Sequence, residues 1–222
     1  MKPDLQKIVI LGAGGHAQVA ADIIISTPSE LALYDLVGFL DDDPAAIDNV
    51  ILGKPVLGLI SELNQIPHDG IFIAIGHNPV RAKLYQQSIE QEENLVNLIH
   101  NSAIISSDVS LGSGVMIAPG AIVNSGTVIG NNVIINTGAT VDHHNRIGDH
   151  VHIAPGVHLG GNVIADEGSL IGIGTTIIPQ RKVAAWSIVG AGSVVTKDVD
   201  SGVIAAGVPA RVIKSLEQKE IE

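Results

Sequence analysis

Cysteine is absent from the 222 residues. That excludes disulfides, thiolate metal sites and cysteine nucleophiles. Aromatic residues make up 2% of a chain that is 45% hydrophobic, so the large fillers of an ordinary core are missing. The apolar mass is Ile, Val, Leu and Ala, which suits a thin, repetitive core. Basic residues are scarce: 12 Lys and Arg stand against 23 Asp and Glu, a net charge of −11. A nucleic-acid backbone is therefore not an expected partner. A phosphorylated small molecule is not excluded, because main-chain amides at a loop or helix start hold phosphate. No apolar run reaches the ~18 residues of a membrane span. The opening stretch from Met1 to Ala17 lacks the basic start, unbroken apolar run and cleavage site of a secretory leader. The expectation is a cytoplasmic protein.

Glycine, by contrast, is plentiful at 25 residues. In the first third, Lys7–Leu11 reads as a strand that ends in Gly12-Ala13-Gly14-Gly15-His16, and Ala17–Ser26 reads as a helix. Further strands are expected at Tyr34–Leu40, ending in Asp41-Asp42-Asp43-Pro44, and at Gly70–Ile75, ending in Gly76-His77-Asn78. Arg81–Glu90 reads as a helix. Strands alternating with helices imply a small parallel sheet of three or four strands with ligands at their carboxyl ends, where all three loops lie. Gly12-x-Gly14-x-x-Ala17 fits the relaxed dinucleotide fingerprint, but an acidic residue ~20 positions on is missing; Asp41 comes 29 residues after Gly12. Two readings stay open. One is a mononucleotide or nucleotide-sugar site, with phosphate on the glycine turn and the Asp pair on ribose or base. The other is a tight turn beside a solvated acidic loop.

Every sixth residue from Ile105 to Val195 is Ile, Leu or Val in fifteen of sixteen positions, the exception being Ala165. The residue two places before each is usually small or β-branched. A fixed period this short means a solenoid. Gly120, Gly138, Gly156, Gly174 and Gly192 recur every 18 residues, so three six-residue units close one triangular coil with a glycine at one corner. The span holds about five coils. The period does not fix the hand of the coil.

This pattern resembles the hexapeptide-repeat acyltransferases, and Ala206-Gly207-Val208-Pro209-Ala210-Arg211 resembles the way such prisms close. A Gly-rich half-fold ahead of a prism is similar to the bacterial UDP-4-amino-sugar N-acetyltransferases and the related sialic acid O-acetyltransferases. The likeness covers nearly the whole chain. It is carried by Asn136-Thr137-Gly138-Ala139-Thr140-Val141-Asp142-His143, by Gly148 to His152 with Gly160-Gly161-Asn162, and by Ile73 to Asn78 with Arg81.

The resemblance implies an α/β half-Rossmann domain (1–98) for the nucleotide sugar and a left-handed parallel β-helix (99–214) for acetyl transfer; the charged residues of the tail (215–222) read as a short helix or a frayed end. It implies acetyl-CoA as co-substrate, a UDP-amino sugar as acceptor, and a homotrimer with active sites between subunits. It makes His143 the general base for an amine attacking a thioester, which suits neutral imidazole. Gly14, Gly15, His16, Asp41, Asp42 and Gly76 match the nucleotide-sugar pocket, and Asn136 a substrate contact. His152, Gly161, Ile173 and Ala191 match the acetyl-CoA groove. The family often has an acidic residue straight after the base to orient it; here His144 holds that catalytic position. Strand alternation would turn Asp142 away from His143, leaving the base unassisted or served by another subunit.

Three other readings remain. One is O-acetylation of a sugar or sialic acid. Another is a prism-type zinc enzyme such as a carbonic anhydrase, built on His143, His144, His150, His152 and His158; since His152 and His158 fall on successive prism faces, no metal is expected. The third is a non-catalytic nucleotide-binding scaffold.

Overall fold

In the computed structural model, which describes residues 5–217, the first apolar run forms β1 (Gln6–Leu11) and α1 follows (Gly15–Ile25). After these come β2 (Tyr34–Leu40), β3 (Val50–Ile51), β4 (Lys54–Gly58), β5 (Gly70–Ile73) and α2 (Asn78–Glu90). The sheet order is β3-β4-β2-β1-β5. β4, β2, β1 and β5 run parallel, and β3 folds back antiparallel on β4. β1 is buried on both faces, as a central parallel strand requires. Ile8 and Ile10 share a cluster with Ala17, Ala20 and Ile23 of α1, while Val9 and Leu11 join Leu84 and Tyr85 of α2. The small side chains of α1 let the helix lie close to the sheet.

The sheet therefore has five strands, not three or four. The β3–β4 hairpin is too short to show a period, and its turn at Leu52-Gly53, φ 48° and 79°, is its main local signal. α1 starts two residues earlier than expected and α2 three residues earlier, with Pro79 in its first turn. Proline suits that position because its missing N–H would have no helical partner.

Seventeen two-residue strands, β6 (Leu98–Ile99) to β22 (Val194–Val195), build the second part. They form three parallel sheets in which each residue pairs with the one 18 positions later, as in Ile134↔His152, Ile122↔Thr140 and Val128↔Arg146. This is a left-handed parallel β-helix. In each strand the second residue points inward. From Ile117 to Val195 these residues are buried, Ala165 included; Ile105 and Leu111, in the open first coil, are only partly covered. A fully buried aliphatic contributes about 1.5–3 kcal/mol, so the stacked interior is the main stabilising element. The glycines expected at one corner all have φ between 64° and 69°.

The coil begins one rung before the repeat was legible: β6 pairs with β9 (Met116–Ile117). The expected domain boundary at residue 98 thus falls inside β6. β23 (Val203–Gly207) and β24 (Ala210–Ser215) close the far end through the Val208-Pro209 turn. Ser215, where a helical or frayed tail was expected, is the last residue of β24, and residues 218–222 lie outside the described residues. Met116, Ala118 and Ile134 on one prism face share the apolar cluster of α1, so the first part is seated directly on the prism.

Candidate active site

Four residues, Asp142-His143-His144-Asn145, turn the chain between β13 (Thr140–Val141) and β14 (Arg146–Ile147). Asn145 is fully buried and shapes this corner. Its Nδ2 donates to the carbonyls of Asp142 (2.5 Å) and Gly160 (3.1 Å), and its Oδ1 accepts from Val163 N (3.0 Å). It interrupts the small-residue series two places before each inward aliphatic, and that break was its signal in the sequence. His144 sits at φ 57°, the left-handed corner conformation.

Asp142 lies in this turn, so strand alternation does not govern it. Its Oδ1 accepts from Asn124 Nδ2 at 3.0 Å and from the main-chain N–H of His143 at 2.8 Å. The Asn124 bond, then that of His143, holds the carboxyl below the ordinary aspartate range. The ring of His143 instead meets His144, Nδ1 to Nδ1 at 3.0 Å. One ring must donate and the other accept. If His143 carries its proton on Nδ1, its Nε2 is a free base on an exposed corner. Gly161 forms the floor: a methyl group there would come within 2.6 Å of His143 Nε2.

A second cluster lies at the junction of the two parts. His16, on the first turn of α1, faces His152 with ring centroids 5.2 Å apart. Asn136 Nδ2 lies 3.2 Å from His152 Nε2, and His152 Nδ1 is buried without a hydrogen-bond partner. Gly76 leaves room for His16, whose Cδ2 would be 3.1 Å from an added Cβ. Burial, then the charge of Arg81, lowers the pKa of His16; burial, Arg81 and His16 lower that of His152 to about 3, against a small opposing effect of the Gly76 backbone. Both rings are neutral at pH 7. Arg81 is fully buried and donates to the carbonyls of Ile75, Asn132 and His150 and to Asn78 Oδ1. Arg81, in the sequence only a companion of the Ile73 to Asn78 motif, fastens α2 to a prism corner.

The three loops expected at the carboxyl edge of the sheet are together there. Asp41 Oδ2 accepts from Ala13 N (2.6 Å) and Asp42 Oδ1 from Ile60 N (3.1 Å), so both carboxylates also hold loops in place. Gly14 caps α1 without a side-chain bond, and the space above Gly14 and Gly15 is open. Such a helix start, with free N–H groups, suits an anion. A cleft of about 480 Å³ opens beside Asp42, lined by Leu11, Asp42, Ile60, Ser61 and Gln87 among others. Its far wall, from Ile60 and α2, was not foreseen.

The residues matched to acetyl-CoA are divided. Gly161 lies under His143. Ile173, 60% exposed, and Ala191 stack one coil apart on the neighbouring corner. His152, 8% exposed, is at the junction instead. Asn136 is bonded to His152 and not to His143. Among the described residues no three His, Asp or Glu side chains converge as a metal set, and no helix is long and apolar enough to cross a membrane.

Residues 7–88 match the PglD N-terminal domain and residues 108–143 match the bacterial transferase hexapeptide, six repeats. A mutant of perosamine N-acetyltransferase from Caulobacter crescentus, in complex with CoA and GDP-perosamine, is 35% identical with a TM-score of 0.87, over 96% of this chain and 99% of its own. The acetyltransferase domain of PglB from Neisseria gonorrhoeae, in complex with acetyl coenzyme A, is 33% identical with a TM-score of 0.86, over 95% and 100%. UDP-N-acetylbacillosamine N-acetyltransferase of Bacillus subtilis is 37% identical over 117 residues, 51% of each chain. The chain spans about a quarter to a half of the length of the curated relatives it matches.

Proposed function

Since this chain belongs to the hexapeptide-repeat sugar N-acetyltransferases, acetyltransferases that use acetyl-CoA, we propose that it acetylates the 4-amino group of a UDP-linked 4-amino-4,6-dideoxy sugar. The observation that carries this reading is the corner at His143: an exposed imidazole whose Nδ1 is engaged by His144 and whose Nε2 edge lies over a bare glycine. As the amine nitrogen attacks the thioester carbonyl, His143 Nε2 takes the proton that the new amide nitrogen sheds. The C–S bond breaks as the tetrahedral oxyanion collapses, and the imidazolium returns the proton to the departing CoA thiolate. No covalent acyl-enzyme is needed.

Residues 1–98 would hold the nucleotide sugar, with its pyrophosphate at the start of α1 near Gly14, Gly15 and His16 and its nucleoside near Asp41 and Asp42 in the adjoining cleft. Residues 99–214 would hold acetyl-CoA along the Ile173–Ala191 corner, with Gly161 under the thioester. His152, whose ring faces His16 at the junction, would contact the thioester region of acetyl-CoA from that side. The reading includes a homotrimer with sites between prisms, which analytical ultracentrifugation measures.

The test is thiol release from acetyl-CoA with a panel of UDP- and GDP-linked 4-amino sugars, their 4-hydroxy counterparts and sialic acid. Turnover of a UDP-amino sugar is expected. Turnover of hydroxyl acceptors alone would replace N- by O-acetylation, and none at all would reject the substrate assignment.

A further inference from the structure

The corner that carries His143 continues downward through the prism. Asp108, Gly126 and His144 occupy the same position in three successive coils. Neighbouring coils lie about 4.8 Å apart, so Asp108 and His144 start about 10 Å apart along the axis, a gap that two side chains can close. They do so over Gly126. From below, the Asp108 carboxylate reaches up, its Oδ2 accepting from Gly126 N at 2.9 Å and from Ser125 Oγ at 2.8 Å. From above, the His144 ring lies down on Gly126, where a methyl group would come 2.7 Å from its Cδ2 and 3.0 Å from its Nε2.

We propose that His144 and Asp108 form a positioning relay behind His143: His144 Nδ1 accepts the His143 Nδ1–H, and Asp108 supplies the negative charge beneath the Nε2–H edge of His144. This rests on His143 being the base. The 3.0 Å Nδ1–Nδ1 contact requires one donor and one acceptor. A His143 that keeps Nε2 free has its proton on Nδ1, which forces the His144 proton onto Nε2, the edge that rests on Gly126 above Asp108. When His143 becomes an imidazolium, its Nδ1–H bond to His144 strengthens and Asp108 offsets the new charge. No proton leaves the chain of groups. The charged neighbours of the ring pair are Asp108 on the His144 side and Asp142 on the His143 side, and Asp142 is already bonded to Asn124 and to the His143 backbone. The Ser125 hydroxyl, with smaller help from the Gly126 N–H and His144, keeps the Asp108 carboxyl below the usual aspartate range. A carboxylate that the family often carries directly after the base is thus replaced by one from two coils below, acting through an imidazole.

Two measurements test the relay. In long-range proton–nitrogen spectra of the ligand-free protein, His143 should be the Nδ1–H tautomer, and His144→Asn should convert it to a mixture. Asparagine is chosen because it tolerates the left-handed backbone. In thiol release with acetyl-CoA and the acceptor that turns over, His144→Asn should lower kcat roughly 10–100-fold and Asp108→Asn roughly 3–10-fold, with KM values kept. Removing the charge should also move the acid limb of kcat to lower pH, because imidazolium loses its stabiliser. Asp108→Asn should add nothing in the His144→Asn background, and His144→Glu should recover most of the rate. Additive losses, an unshifted acid limb with Asp108→Asn, or a His143 that is Nε2–H in the wild type would each overturn the relay. An active His143→Ala enzyme would instead remove the base itself, and the spectra decide the relay even without a turning-over acceptor.

Discussion

His16 and His152 face each other across the domain junction, with centroids 5.2 Å apart and ring planes inclined by 39°. One comes from the first turn of a Rossmann-type helix and the other from the middle coil of the prism. The contact joins the start of α1 directly to the prism, so the two parts meet through these rings.

Acid should weaken the fold in a defined window. His16, His150 and His152 all have pKa values below 6.5, chiefly through burial, with Arg81 adding to it. In the unfolded chain they titrate near 6.5, so below that pH the unfolded state binds more protons. The stability these three contribute therefore falls as pH drops below about 6.5, continuing toward about 3 for His152, and their contribution is flat above. The slope for His152 approaches ~1.4 kcal/mol per pH unit. His68 opposes: burial lowers its pKa, but its bonds to Glu93 and the Ile66 carbonyl win and raise it, so its contribution is full at low pH and fades as pH rises through its folded value. Urea midpoints from pH 4 to 8 should show the net fall with acid, reduced in His152→Gln. Equal pH profiles for the two proteins would contradict the assignment.

Two glycines should separate activity from stability. Gly161→Ala places a methyl against the His143 ring without backbone strain, so kcat should fall at least ~10-fold with little change in Tm. Gly174→Ala meets nothing within 4 Å but sits at φ 66°, so it should cost about 1 kcal/mol and leave kcat alone. Melting curves and thiol release on both variants check this.

His143→Ala should keep the fold, because the ring is exposed, and should lower kcat by ~10²–10⁴ with KM little changed. Retention of near wild-type kcat in a folded variant would disqualify it as base.

Arg81→Met leaves four oxygen acceptors at the junction without their donor. A loss of about 3 kcal/mol is expected, seen as a lower denaturant midpoint or an earlier, separate transition of the first domain. A variant as stable as the parent would show that this buried cation is not the fastening.

Much of this was legible beforehand because a period of six cannot be hidden: the interior aliphatics, the corner glycines and the sheet-edge loops are repeats or simple alternations. The β3–β4 hairpin was not legible, since its first strand has two residues and no alternation. The burial of Arg81 was not legible either, because it follows from where α2 lands on the prism. Asp108 is an intermediate case. The 18-residue period already placed it beneath Gly126 and His144, but an exposed aspartate has no meaning until the side chains above it are known to lie down. The division of His143 from His152 needed the first domain in place, since only its seat on one face buries His152.

The strict pairing of each residue with the one 18 positions later makes length behave like a reading frame. Removing six residues between His143 and His152 would carry every later side chain to the next face and turn His152 away from His16, although each strand would still fit its neighbours. Only insertions or deletions of whole coils keep the downstream phase. Such a chain can lengthen its prism in 18-residue steps above His152, while an insertion between Asp108 and His152 would part side chains that now meet around Gly126 and at His16.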